Sequence, residues 1–281
     1  MTEQAARALV LGGGGVTGVA WELGILAGLA ERGVDLTEAD LVIGTSAGSV
    51  VGVDVRSGVG LTELYRRQLV PPEGEIAARM EPRLILHYLR AGTFSRDPVT
   101  ARRRIGALAL RAATESEESR RTVIESRLPV REWPAGLLRI TALDAETGEL
   151  RVFDAASGVT VVDAVGASCA VPGIWPPVSI DGRRYIDGGI RSAANADLAA
   201  GYPRVIVIAP LTQGFSPGTS VRRQVRRLLA AGSQVVVIKP DRAALRAIGR
   251  NVLDPARRAA AARAGHEQAA AVETEAKSVW K

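Results

Sequence analysis

The chain has 281 residues, a formal net charge of +6, and 47% apolar and 23% charged residues. Those proportions belong to a folded globular protein, exclude an intrinsically disordered chain or a coiled coil, and give a core large enough to need no disulfide or metal staple. A single cysteine, Cys169, excludes an internal disulfide and points to a reducing compartment, and with only His87 and His266 beside it almost no Cys/His zinc site can be built.

Residues 1–7 carry an early acid, Glu3, and no continuous apolar stretch, so they do not read as a secretory signal. No uncharged apolar run reaches the ~18 residues of a membrane-spanning helix. The expected location is cytoplasmic, with any membrane contact peripheral. The basic balance does not imply nucleic acid. Only three of the 36 basic residues are lysines, arginine pairs are spread along the chain, and aromatics amount to 4%, leaving few platforms for base stacking.

Residues 6–11 form an apolar run that stops at Gly12-Gly13-Gly14-Gly15, the pattern of a buried strand feeding a glycine turn. Val19, Leu23, Leu26 and Ala30 follow at helical spacing and Gly33 closes them, which predicts an amphipathic helix. Residues 41–43 predict a second strand, running into Gly44-Thr45-Ser46-Ala47-Gly48 and another apolar helix. Strand, glycine turn and helix, repeated, predict an α/β sheet covered on both faces. Residues 61–133 change texture, with Pro71-Pro72, Pro82, Pro98, Arg102-Arg103-Arg104 and an acidic run at 115–118; they predict a helical excursion from the sheet. Strand signals return at 137–143 and 150–153, and residues 178–186 alternate around Asp181-Gly182, a hairpin pattern. Two buried strands are expected at 205–208 and 235–238, and alanine- and arginine-rich helix from Asp241 onward. With no internal repeat or low-complexity linker, one α/β domain over residues 1–281 is expected. Its motif-bearing core spans about 6–210, and the final strand and C-terminal helices fall in 211–281.

Three places can carry chemistry. In Gly44-Thr45-Ser46-Ala47-Gly48 a serine sits on a tight strand-to-helix turn, where its hydroxyl projects from the sheet edge and the next helix aims its positive end at it. Small residues cluster in many such turns for structural reasons alone, but the flanking strand and apolar helix favour a nucleophile here. Residues 13–18 satisfy G-x-G-x-x-G, which admits dinucleotide binding, yet the second strand ends in Gly44-Thr45-Ser46 where a ribose-binding acid is wanted. The other use of such a loop is an oxyanion hole built from the backbone amides of Gly13, Gly14 and Gly15, and a neighbouring serine favours it. The third place is Asp187-Gly188-Gly189, an aspartate at a strand end. Neither His87, inside the helical excursion, nor His266, in the alanine-rich tail, is placed to relay a serine proton, so an aspartate is the expected base.

A glycine loop, then G-T-S-A-G, then D-G-G, without a suitable histidine, resembles the patatin-like phospholipase family. Residues 163–173 are similar to the family's segment leading into the aspartate hairpin, and the resemblance covers about 6–210. It implies a three-layer α/β/α fold with a mostly parallel sheet. It also implies a metal- and cofactor-free serine acyl hydrolase that cleaves carboxylic esters of lipids, phospholipids or lysophospholipids, with Ser46 and Asp187 as a dyad. Where the family loop carries a basic residue this chain has Thr17, so any charge stabilisation must come from backbone donors. Two other readings stay open: a nucleotide-binding regulatory or redox protein using loop 13–18, and a catalytically weak lipid-binding protein, to which Thr17 points. Finally, Val221, Val225, Leu228 and Leu229 share one helical face ringed by Arg222, Arg223, Arg226 and Arg227. That pattern fits a surface helix packed on the sheet, or a weak, salt-sensitive contact with anionic membrane.

Overall fold

Eight strands form one mixed sheet in the computed structural model, which describes residues 6–71, 78–79, 82–93, 97–213 and 219–281. Strands β1 (Arg7–Leu11), β2 (Leu41–Thr45), β3 (Leu137–Asp144), β7 (Arg204–Ile208) and β8 (Gln234–Ile238) pair in parallel. Strands β4 (Leu150–Phe153), β5 (Val178–Ile180) and β6 (Arg183–Asp187) join through antiparallel pairings. Hydrogen-bonded neighbours run β5-β6-β3-β2-β1-β7-β8, and β4 also pairs with β3.

Alternation along the central strands divides the core between two faces. Leu9, Leu11, Val42 and Ile206 pack on one side with α1 (Gly15–Glu31), α2 (Ala47–Arg56), α7 (Val161–Ser168) and α10 (Arg258–Trp280). Ala8, Val10, Leu41, Ile43, Val205 and Val207 face the other side, where Val221, Val225 and Leu228 of α8 (Val221–Ala230) cover them. Helices on both faces of a mostly parallel sheet make the three-layer α/β/α arrangement that the sequence implied.

The described residues of 61–133 hold the expected helices, α3 (Leu61–Leu69), α4 (Pro82–Thr93), α5 (Pro98–Arg111) and α6 (Glu117–Arg127), and no strand. The predicted hairpin is present between β5 and β6. Its turn places Asp181 and Gly182 at φ 50 and 74, as a two-residue turn of this hand requires. Helix α9 (Arg242–Ile248) and a 3-10 turn at Pro255–Arg257 precede α10.

Two expectations change. Helix α1 is not amphipathic; it is buried almost all round from Thr17 to Leu29, because α10 lies across the side turned away from the sheet. Small residues, Gly24 and Gly28 against Ala262 and Ala269, allow that close packing. Strand β8 is only half-buried at Val235, Val236 and Val237, because it is a sheet edge rather than an interior strand. Among the described residues no helix is long and apolar enough to cross a membrane.

Candidate active site

The serine turn owes its shape to the residues around it. Ser46 has φ 52, a left-handed conformation costly for a side chain with a β-carbon, typically ~1–3 kcal/mol. It is held there by hydrogen bonds: its N–H donates to Ser168 Oγ at 2.9 Å, and its carbonyl accepts from Ser49 Oγ at 2.6 Å and Cys169 Sγ at 3.3 Å. Gly44 must be glycine, because a β-carbon there would stand 2.5 Å from the carbonyl oxygen of Gly48. Ser46 caps α2, and the adjacent parallel strand β1 delivers the N-terminus of α1 to the same sheet edge. Two helix N-termini, each carrying partial positive charge, therefore converge on the hydroxyl.

Strand β3 sets the position of the aspartate. Its residues 137–141 pair with β2 as far as Thr45↔Thr141, while the same edge of residues 142–144 pairs with β6. Strand β4 occupies the opposite edge. Thus β2 rises and β6 descends along one edge of β3 and they meet end to end, with Asp187 opposite Ala142 and Ser46 just past Thr141's partner. Ser46 Oγ donates to Asp187 Oδ2 at 2.7 Å, and Gly189 N–H donates to Asp187 Oδ1 at 2.7 Å. The carboxyl is 5% exposed. Burial raises its pKa from the ordinary 3.8 to about 6, against the hydrogen bonds from Ser46 and Gly189.

The glycine loop faces this pair across a cavity of about 150 Å³, whose wall is mainly apolar and includes Val16, Val50, Trp175, Ile190 and Leu211. Gly14 and Gly15 line it, and their N–H groups make no hydrogen bond with any described residue. Gly15 adopts φ 60, and a β-carbon there would lie 2.5 Å from Val252 O. Gly13 departs from expectation: its N–H donates to Ala193 O at 2.7 Å, so it places the loop against Ser46 instead of offering a donor. Thr17 is fully buried and donates through its hydroxyl to Val252 O at 3.2 Å, which anchors the loop without charge.

Several contributors carried no sequence signal. Glu22, wholly buried in α1, accepts from Gly12 N–H at 2.9 Å, and burial pushes its carboxyl well above the usual range. Asn195, at φ 50, donates from Nδ2 to Thr45 Oγ1, Thr141 Oγ1, Gly188 O and Ser192 O at 3.1 to 3.3 Å, tying the serine strand to the aspartate loop. Arg191 and Gln224 extend this bracket through Asp197. Cys169 lines the cavity as a buried thiol pushed up to about 11 by burial. Neither histidine belongs to the site: exposed His87 lies against Arg83 O, and His266 bonds Glu31 and stacks on Tyr65. Asp35, Glu38 and Asp40, the acids nearest to a ribose-binding position, lie before β2, at the opposite end of that strand from the glycine loop. Among the described residues no group of three or more His, Cys, Asp or Glu side chains could hold a metal ion.

A family model described as patatin-like phospholipase matches residues 9–200, which contain the glycine loop, Ser46 and Asp187. The chain belongs to the patatin-like phospholipase family. Among solved structures, this patatin-like chain is similar to VipD from Legionella pneumophila, at 12% identity over 97% of this chain and 67% of that one, with a TM-score of 0.49. It is also similar to the type III effector protein ExoU, at 17% identity over 98% of this chain and 54% of that one, with a TM-score of 0.43. The patatin-like chain thus spans part of the length of each.

Proposed function

We propose that this patatin-like lipid hydrolase cleaves carboxylic esters of lipids, phospholipids or lysophospholipids, through a Ser46–Asp187 dyad. The observation that carries the reading is the 2.7 Å hydrogen bond from Ser46 Oγ to a buried Asp187, beside two open loop amides. In the first step Ser46 Oγ attacks the ester carbonyl while its proton passes to Asp187 Oδ2. The tetrahedral oxyanion is received by the N–H groups of Gly14 and Gly15 and by the helix α1 dipole, each donor being worth ~3–4 kcal/mol in such sites. Asp187 then returns the proton to the leaving alkoxide, and the acyl group stays on Ser46. A water gives its proton to Asp187 and attacks the acyl carbonyl, releasing the fatty acid and restoring both side chains.

The raised pKa of Asp187 suits this role, since a carboxylate at its ordinary pKa is a weak base for a serine hydroxyl. The apolar cavity wall suits an acyl chain. Protein reacted with a fluorophosphonate probe should carry one adduct, on Ser46 by peptide mapping, and should release fatty acid from a lysophospholipid. Folded protein that neither reacts at Ser46 nor releases fatty acid would overturn the reading.

A further inference from the structure

A second cavity, of about 550 Å³, adjoins the catalytic one, and Val16, Val19, Val50 and Arg127 line both. In its wall stands Asp54, 5% exposed. Ser46, Val50 and Asp54 follow one another at four-residue steps along one face of α2. At ~1.5 Å of rise per residue the Asp54 carboxyl lies ~12 Å along the helix from the nucleophile. Its carboxyl oxygens accept no hydrogen bond and form no ion pair with any described residue. Burial raises its pKa from the ordinary 3.8 to about 8, against the attraction of Arg67. The carboxyl opens on the cavity instead of packing in the core, and an apolar side chain of similar size, like those of Val50, Val51 and Val53 beside it in α2, would line that wall without the cost of desolvating a carboxyl. Asp54 therefore presents a hydrogen-bonding group to a space that shares a wall with the catalytic cavity.

We propose that this cavity is the subsite for the polar alcohol portion of the ester, and that Asp54 bonds an N–H or O–H donor at the far end of that portion. The inference rests on the Ser46–Asp187 reading and adds the headgroup to it. A donor joined to the scissile ester through a glyceryl phosphate reaches Asp54 from Ser46, whereas a methyl or nitrophenyl ester ends short of it. Arg67, which also bonds Glu63 at 3.0 Å, lines the same cavity with Arg127 and Arg258, and such a set of guanidinium groups suits a phosphodiester. The substrate class is a phospholipid or lysophospholipid whose headgroup ends in an ammonium with N–H bonds or in a hydroxyl. A quaternary ammonium, with no donor, is a poorer match.

The test compares lysophosphatidylethanolamine with lysophosphatidylcholine of one acyl chain, two zwitterions that differ at this end by the N–H donors. A hydrogen bond to a charged group predicts a ratio of kcat/KM of about tenfold or more in favour of the ethanolamine lipid. The ratio is taken within each variant, so it does not depend on how much of the protein is folded. Asp54→Leu should bring it to about one, and Asp54→Ala carries the same test if the leucine variant does not fold. Lysophosphatidylglycerol separates the donors: an advantage shared with it assigns recognition to the donor as such, and an advantage for ethanolamine alone assigns it to the ammonium. A native ratio near one, or a ratio that survives Asp54→Leu, overturns the subsite and leaves the dyad standing if short nitrophenyl esters are still cleaved. If none of these esters is cleaved, the dyad reading falls and the subsite with it.

Discussion

Asp187 pairs with Ala142 of β3 and Ser46 follows Thr45, the partner of Thr141, yet the chain brings the two there by opposite means. The serine side is local: strand β2, the strained turn and helix α2 are contiguous over residues 41–56, and the hydroxyl's position follows from that short stretch. The aspartate side is assembled at long range. Strand β6 enters antiparallel from beyond the sheet's carboxyl edge and stops at Asp187, and the loop after it is held by Asn195, Arg191, Asp197 and Gln224. In the proposed dyad the nucleophile is thus specified by a motif, while the position of its base depends on how far one strand extends past its neighbour.

The largest effects should fall on the pair itself. Ser46→Ala and Asp187→Asn are each expected to lower kcat/KM for short p-nitrophenyl esters by roughly 10⁴-fold or more while circular dichroism stays native. Because the two act as one unit, the double variant should be no worse than either single one. Additive losses would mean that the two sides do not work on one proton.

Asn195 is where the two sides can be separated. Asn195→Ala leaves the hydroxyls of Thr45 and Thr141 and the carbonyl of Gly188 without their shared donor, a loss of ~1–3 kcal/mol for buried polar groups. It should reduce kcat by about ten- to a hundredfold with KM little changed, since a misplaced base slows proton transfer more than it weakens binding. Fluorophosphonate labelling of Ser46 should slow in parallel. An unchanged kcat would show that β6 alone fixes the aspartate.

The pH responses of activity and stability should have opposite signs. As base, Asp187 must be ionised, so kcat/KM should rise with pH through about 6 and level off above it. For stability, the folded pKa exceeds the ordinary 3.8, so the native state binds the extra proton between about 4 and 6 and loses this contribution as pH rises through that window. The Tm of Asp187→Asn relative to the native chain should therefore climb from pH 4 to 6 and stay flat above. A difference that shrinks with rising pH would contradict the buried, desolvated setting of this carboxyl.

The same contrast explains what the sequence disclosed. The α/β pattern, the glycine turns, the helical excursion and the β5–β6 hairpin all rest on local periodicity and turn chemistry, so they were legible. The burial of α1 was not, because its outer face is covered by α10, more than 200 residues away in the chain. Asp187 stood out as a strand-end aspartate, but a strand antiparallel to its neighbour would ordinarily end at the wrong edge. Only the register of β3 against both β2 and β6 shows why it meets Ser46. Gly13 looks the same as Gly14 and Gly15 in sequence, and its amide is turned away by Ala193, a residue from the aspartate loop. Glu22, Asn195 and Asp54 left no mark, because a buried polar residue is distinguished by its surroundings rather than by its spacing.

Smaller effects should come from residues outside both sides. His87→Ala and His266→Ala should each keep activity within severalfold of the native chain, well short of the roughly hundredfold loss that follows removal of a positioned proton-transfer group. A greater loss in His87→Ala would replace Asp187 as the only base.

Helix α8 gives the smallest effect and a last way to sharpen the comparison, because its two faces do different things. Val221, Val225 and Leu228 are packed on the sheet and Gln224 reaches Ser192 and Asp197, so this face is committed to the aspartate side. These three apolar side chains are therefore not free to enter a bilayer; Leu229, expected on the same stripe, turns out instead and is 50% exposed, which leaves it and exposed Arg222, Arg223, Arg226 and Arg227 for a membrane. Arginines at a surface gain ~1 kcal/mol each on anionic lipid, and the gain is screened by salt. Binding to anionic vesicles should accordingly be weak, disappear as salt is raised, and fall when the four arginines are replaced by glutamate together, with nitrophenyl ester hydrolysis little changed. Gln224→Ala should do the reverse, keeping vesicle binding and lowering kcat. If the fourfold variant binds vesicles as well as the native chain does, α8 is scaffold alone and the membrane-facing surface must be sought in the helices of residues 61–133.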